Sequence, residues 1–168
     1  VVLVWRSSAH GKRGLPRINA PAPNFSLADQ HGRLRTCAEF LGRWLVLYFY
    51  PREDTPACAE QAARFRDAMA EFEALGAAVC GVSVDSSASH GAFARKLNLG
   101  FTLLADPDGA VAARYGSLRK LGFIKVARRN TFLIDPQGRV ARVYLGVHPS
   151  RNARAVADDI RKLAQGNA

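Results

Sequence analysis

Three cysteines (Cys37, Cys58 and Cys80) and four histidines are the side chains of this 168-residue chain that could do nucleophilic or metal chemistry. Cys58 has the most informative surroundings. It follows Thr55-Pro56-Ala57, and apolar residues then recur at Ala62, Phe65, Met69 and Phe72 until Gly76. That spacing predicts one helix with a buried face and a glycine stop. Threonine is a favoured N-cap and proline is favoured at the first helical position. Cys58 is therefore predicted in the first turn, at about the third helical residue. Backbone N–H groups there have no intrahelical partner and the helix dipole favours an anion, so the thiolate is favoured over the thiol. A thiolate is a nucleophile and can be oxidised reversibly. The competing reading is the commonest fate of a lone cysteine, a small buried filler.

The remaining chemistry-bearing residues are less specific. His10, His31, His90 and His148 share no metal-ligand spacing and are expected as surface or turn residues, so no metal site is expected. No CxxC pair exists, which argues against a zinc ribbon and against a dithiol redox motif. Asp106-Pro107-Asp108-Gly109 and Asp135-Pro136-Gln137-Gly138 read as turns. Trp5 and Trp44 read as packing residues. Arg128 and Arg129 precede a strand pattern, where neighbours face opposite ways, so the two should point to opposite sides, and either could be an ordinary solvated charge.

The elements that must position Cys58 are strands alternating with helices. Residues 44–50 (WLVLYFY) form a continuous β-prone apolar run, the pattern of a strand buried on both faces, and Pro51 stops it. Residues 77–84 (AAVCGVSV) and 131–134 (TFLI) repeat the pattern, and 140–144 continue after a turn. Residues 24–27 and 33–36 flank Asp29-Gln30-His31-Gly32, a hairpin signal. Phe93 and Leu97 mark a shorter helix. Ala153, Val156, Ala157, Ile160 and Leu163 mark a final amphipathic one. Together these predict a three-layer α/β sandwich with a mixed central sheet. A strand end opening onto a helix start is where such sheets place their sites.

Composition bounds the rest. The chain suits one domain, is 48% apolar and 23% charged, and contains no apolar run near the length that spans a bilayer. The odd number of cysteines in a chain with a full core argues against a disulfide scaffold. Net charge is +10, which keeps nucleic acid or an anionic surface in view. Residues 1–19 are expected as a basic extension, with apolar residues 1–5 followed by Arg6, Lys12, Arg13 and Arg17, and 20–168 as the folded domain. The chain does not begin with Met, so the apolar run could be the tail of a trimmed signal or anchor; the plain alternative is a terminal strand or a basic arm.

The stretch YFYPREDTPAC carries the spacing Pro51-x3-Thr55-x2-Cys58. It resembles the peroxidatic-loop motif of the peroxiredoxins, most closely the Q-type branch named after the bacterioferritin comigratory protein. The resemblance extends from residues 22–27 (APNFSL) through GVSVDS and LLADPDG to RRNTFLIDPQGRV, almost all of the chain from Ala20 to the last helix. It implies a thioredoxin-like fold with an N-terminal hairpin extension, and reduction of hydrogen peroxide and small organic hydroperoxides without metal or organic cofactor. Cys58 matches the peroxidatic cysteine, Thr55 and Pro51 the motif's threonine and proline, and Arg129 the arginine preceding the TFLI strand. Expected partners are a hydroperoxide and an external thiol, glutathione or a thioredoxin-like protein, with no specific nucleic acid. A monomer or weak dimer is expected, in the cytoplasm, or in the periplasm or on a membrane if residues 1–5 are a signal or anchor remnant.

The chain departs from that family in instructive places. Ala57 stands where most relatives have glycine, and Gln61 where an acid is often found. A resolving cysteine commonly lies five residues after the peroxidatic one, or on the next helix; Ala63 and Ala94 occupy those positions. Cys80 is expected in the core and Cys37 half-buried where a short helix begins. A one-cysteine cycle is therefore expected. The alternative is a basic, non-enzymatic binding module, supported by the net charge and by Arg119, Lys120, Lys125, Arg128 and Arg129, a run without acids that is expected as a loop near the site.

Overall fold

A computed structural model describes residues 14–166. The proposed remnant at residues 1–5, Arg6, Lys12, Arg13, Trp5 and His10 lie outside the described residues. Among the described residues nine strands and five α-helices follow in the order β1 (Ser26–Asp29), β2 (Leu34–Thr36), β3 (Trp44–Phe49), α1 (Pro56–Asp67), α2 (Met69–Ala74), β4 (Ala77–Ser83), α3 (Ser87–Leu97), β5 (Thr102–Ala105), α4 (Ala110–Arg114), β6 (Leu118–Leu121), β7 (Ile124–Ala127), β8 (Thr131–Ile134), β9 (Val140–Tyr144) and α5 (Asn152–Gly166). A 3-10 turn, Cys37–Phe40, begins at Cys37 as expected.

Seven strands form one mixed sheet in the order β2-β1-β5-β4-β3-β8-β9. β3 is central, parallel to β4 and antiparallel to β8, and all six of its residues are buried. That is why its sequence is a continuous apolar run instead of an alternating one. Its side chains divide between two cores. Val46, Tyr48 and Tyr50 join α1, α2, α3 and α5 on one face, and Leu45, Leu47 and Phe49 join Phe25, Phe40, α4 and Tyr115 on the other. The result is the expected three-layer sandwich.

Tyr48 anchors the first core by stacking on Phe65 of α1 at 4.5 Å between ring centroids. Its ring lies over Gly81 of β4, where a Cβ would fall 2.8 Å from it, so the glycine is required by close approach. The described end of the N-terminal extension is packed on the sheet: Leu15 lies against the second core and the Asn19 N–H donates to the Val140 carbonyl at 2.7 Å.

Three expectations need correction. The helix expected to run past Met69 is broken at Ala68 (φ −96°, ψ 2°), giving α1 and α2. No proline or glycine causes the break; the fold overrides the good local propensity of alanine. The basic run from Arg119 to Arg128 is not a loop but a β-hairpin, β6 paired to β7 in a separate two-stranded sheet. His90, expected at the surface, is fully buried. Its Nε2 lies 3.0 Å from the Leu104 carbonyl and its Nδ1 faces Glu53 Oε1, so protein groups at both ring nitrogens replace the water it would otherwise keep.

Candidate active site

The sheet register gathers the site at one end. β3 ends at Phe49 and the chain turns through Pro51 into α1. β8 runs antiparallel to β3 with Thr131 opposite Tyr48, so Arg129, just ahead of β8, is brought to the start of α1. β9 pairs Tyr144 with Thr131, and the loop after it delivers Asn152 at the start of α5.

Cys58 is the third residue of α1, buried, with Thr55 as N-cap and Pro56 at the first helical position. The Thr55 Oγ1 accepts from the Cys58 N–H at 3.3 Å and donates to the Arg52 carbonyl at 3.4 Å. The threonine hydroxyl therefore holds the helix start while the thiol remains beside it. Arg129 Nη2 lies 3.4 Å from Cys58 Sγ. A guanidinium at that distance puts a fixed positive charge and an N–H donor beside the sulfur. Arg128 is exposed and Arg129 half-buried, so the alternation expected of neighbouring residues sends Arg129 to the thiol and Arg128 to solvent.

Arg129 is itself held. Its Nη1 donates to Gln61 Oε1 at 2.8 Å. The Gln61 amide then donates from Nε2 to Asn152 Oδ1 at 3.1 Å, and the Thr131 hydroxyl donates to the same oxygen at 2.8 Å. The guanidinium, which only donates, fixes the orientation of both amides along this chain. Asn152 Nδ2 and Tyr48 Oη are buried without a partner. Each such group costs about 1–3 kcal/mol.

A second network ties down the loop between Pro51 and Thr55. Glu53, on that loop, is buried and accepts from Tyr50 Oη at 3.0 Å and Ser89 Oγ at 2.6 Å, and it meets His90 Nδ1. Its backbone N–H donates to Asp85 Oδ2 at 3.0 Å. Burial pushes the Tyr50 hydroxyl well above its ordinary pKa, so it stays protonated and donates.

Of the four residues expected at the site, Cys58, Thr55 and Arg129 meet at the start of α1. Pro51 lines, with Arg129, an open groove of about 960 Å³ whose other walls include Leu118, Leu121, Val126 and Leu145. Sequence reasoning missed Asn152 and Glu53. An asparagine opening an amphipathic helix was a visible signal for the first. For Glu53 no local signal exists, because its partner His90 is 37 residues away. Among the described residues no cluster of three or more His, Cys, Asp or Glu could hold a metal ion.

Three comparisons bear on this geometry. The model of the AhpC/TSA family matches residues 18–143. "Peroxiredoxin Q, chloroplastic" of Triticum aestivum is 43% identical over 122 residues, covering 73% of this chain and 56% of that protein. The chain thus spans a little over half the length of the plant relatives. "Putative peroxiredoxin bcp" of Coxiella burnetii is 37% identical over 131 residues, covering 76% of this chain and 87% of that one. Among solved structures, peroxidoxin BcpB of Mycobacterium tuberculosis superposes with a TM-score of 0.82 at 31% identity, covering 87% of this chain and 97% of the other.

Proposed function

The chain belongs to the AhpC/TSA family, in the branch of peroxiredoxin Q and the bacterioferritin comigratory proteins, and has their thioredoxin-like fold; from that premise we propose that it is a thiol-dependent peroxidase acting through Cys58. The single observation that carries this reading is the Arg129 guanidinium 3.4 Å from a sulfur seated in the first turn of a helix. The Cys58 thiolate attacks one oxygen of a hydroperoxide. An S–O bond forms and the O–O bond breaks. Sulfur gives up two electrons, and the leaving oxygen departs as hydroxide or alkoxide and takes a proton.

Arg129 faces both charges in turn, first the thiolate and then the departing oxygen. Thr55 can turn its hydroxyl proton from the Arg52 carbonyl to the bound peroxide while still accepting from the Cys58 N–H. Pro51 offers no N–H and shields that side of the pocket from water. The product is a sulfenic acid at Cys58.

An external thiol then attacks that sulfur, releasing water and leaving a mixed disulfide that a second thiol reduces. Ala63 and Ala94 offer no sulfur, and Cys37 and Cys80 pack on the far face of the sheet from Cys58. Glutathione or a thioredoxin-like dithiol fits the role, and the folded unit from Ala20 onward carries the reaction. The plant relatives are named as chloroplastic, and no helix among the described residues is long and apolar enough to cross a membrane. Of the expected compartments, we propose the cytoplasm.

A non-enzymatic basic binding module, the other reading of the net charge, is not supported by the relatives. A coupled peroxide-consumption assay separates the two. Turnover that disappears in Cys58→Ser is expected. Salt-sensitive retention on DNA with no turnover in the parent would overturn the peroxidase reading.

A further inference from the structure

We propose that the β6–β7 hairpin docks this protein onto bilayers rich in anionic phospholipid and that the groove behind it admits acyl-chain hydroperoxides to Arg129 and Cys58. The hairpin turns through Gly122-Phe123, with Gly122 at φ +60° as a tight two-residue turn requires. Phe123 at its tip is fully exposed, and Leu121 and Ile124 beside it are about half exposed. A buried role is thereby ruled out for the most apolar part of the hairpin, and contiguous exposed apolar groups of this kind mark contact surfaces.

Directly behind the tip stands a collar of charge. Lys120 and Lys125 are cross-strand partners, Arg119 follows on β6, and Arg128 lies at the base, all exposed. Like charges placed opposite one another destabilise a strand pair unless something anionic relieves them. No acid occurs between Asp108 and Asp135, and no carboxylate pairs with these four residues among the described residues.

An apolar tip with a basic collar matches the edge of an anionic bilayer. Strand residues rise about 3.3 Å each, so Lys120, Lys125 and Arg119 stand within about 10 Å of the tip. Amphipathic elements bury their apolar side about 5–10 Å into the boundary between headgroups and acyl chains. Phe123 then reaches the acyl region while Lys120 and Lys125 meet phosphates. A second copy of this chain would bring the same positive collar against itself, so charge argues against that occupant.

The groove joins the hairpin to the reaction site. Leu118, Leu121 and Val126 of the hairpin line it, together with Arg119, Arg128 and, from the reaction site, Pro51 and Arg129. The groove therefore offers an oxidised acyl chain apolar walls and offers its hydroperoxide the Arg129 guanidinium. The step is then the one already described with the lipid as oxidant: sulfur takes the distal hydroxyl group, the O–O bond breaks, and the lipid leaves as an alcohol. This substrate half rests on the peroxidase reading; the docking half does not.

The test is flotation with vesicles of phosphatidylcholine containing 30% phosphatidylglycerol, beside vesicles of phosphatidylcholine alone, using the full chain. Binding to the anionic vesicles only, reversed by high salt, is expected. Phe123→Ser should abolish most of it, and Lys120→Ala and Lys125→Ala should each weaken it about fivefold. Unchanged thermal melting of these surface variants keeps misfolding out of the comparison. Phe123→Ser should also lower turnover of a vesicle-borne phospholipid hydroperoxide while its rate with hydrogen peroxide stays at the parent value. Equal flotation of parent and Phe123→Ser, or no flotation of the parent, would overturn docking. So would a concentration-dependent dimer that Phe123→Ser dissolves in the absence of vesicle binding, which would give the face to a second copy. Flotation without turnover of any peroxide would leave docking in place and remove the peroxidase reading.

Discussion

Cys58 and Cys80 are both buried cysteines packed against the central sheet, and they lie on opposite faces of it. Cys80 sits in mid-strand, between Leu47 of β3 and Thr102 of β5 in the ladder. Burial pushes its thiol up to about 12, with Arg35 and Arg43 opposing only in part. Cys58 is nearly as buried, but it sits at a helix start with a guanidinium 3.4 Å from its sulfur. The difference teaches that burial does not decide what a thiol does. What decides is whether backbone N–H groups and a fixed cation meet the sulfur once water is gone. The sheet between them also keeps the two thiols chemically independent, because a disulfide needs Cα atoms within about 7 Å and side chains aimed at each other.

The sharpest way to break this comparison is to exchange one sulfur at a time. Cys58→Ser should reduce peroxide turnover to background, and Cys80→Ser should leave it unchanged; stopped-flow peroxide consumption measures both. Arg129→Ala comes next. It removes the cation that only one face has, and should lower kcat/KM by about 10²–10³-fold, the usual cost of one oxyanion donor. A rate equal to the parent would take Arg129 out of the chemistry.

Glu53→Ala tests whether the loop carrying Pro51 and Thr55 is held from below. It leaves the buried Tyr50 hydroxyl and His90 Nδ1 without their carboxylate, and a buried polar group left unpaired costs about 1–3 kcal/mol, read as a lowered urea midpoint. Native alkylation then sharpens the comparison without mutation. Iodoacetamide should label Cys58 first and spare Cys80. Raising the pH from 7 to 9.5 should not change that, because the Cys80 thiolate forms only toward 12. The smallest effect is expected from Cys80→Ser on stability, a loss of about 1–3 kcal/mol from placing a hydroxyl in an apolar mid-strand site.

Much of the Cys58 face was legible in the sequence, and the reasons are local. Thr55 and Pro56 announce a helix start, and WLVLYFY announces the strand beneath it. The alternation at Arg128 and Arg129 sets the two on opposite sides, and only the resemblance and then the geometry say which one faces Cys58. What escaped depends on distant contacts. The break at Ala68 follows from packing, since nothing at that residue opposes a helix. β5 is four residues, too short for periodicity to separate strand from other buried structure. The β6–β7 ribbon was hidden because its strands bury little and are crowded with lysine and arginine, so no clean alternation of apolar and polar residues appears. His90 and Glu53 are types usually found at the surface, and only the fold brings one beneath the other.

The central claim is that one sulfur, Cys58, takes the oxygen and that no other sulfur of the chain resolves it. Intact-protein and peptide mass spectrometry after one equivalent of hydrogen peroxide, with a dimedone trap present, tests this most directly. One trapped sulfenic acid per chain, on the Cys58 peptide, with Cys37 and Cys80 unmodified and no disulfide, is the expected result. A stoichiometric Cys58–Cys80 or Cys37–Cys58 disulfide, a disulfide between chains, or an adduct on Cys37 or Cys80 in place of Cys58, would contradict it.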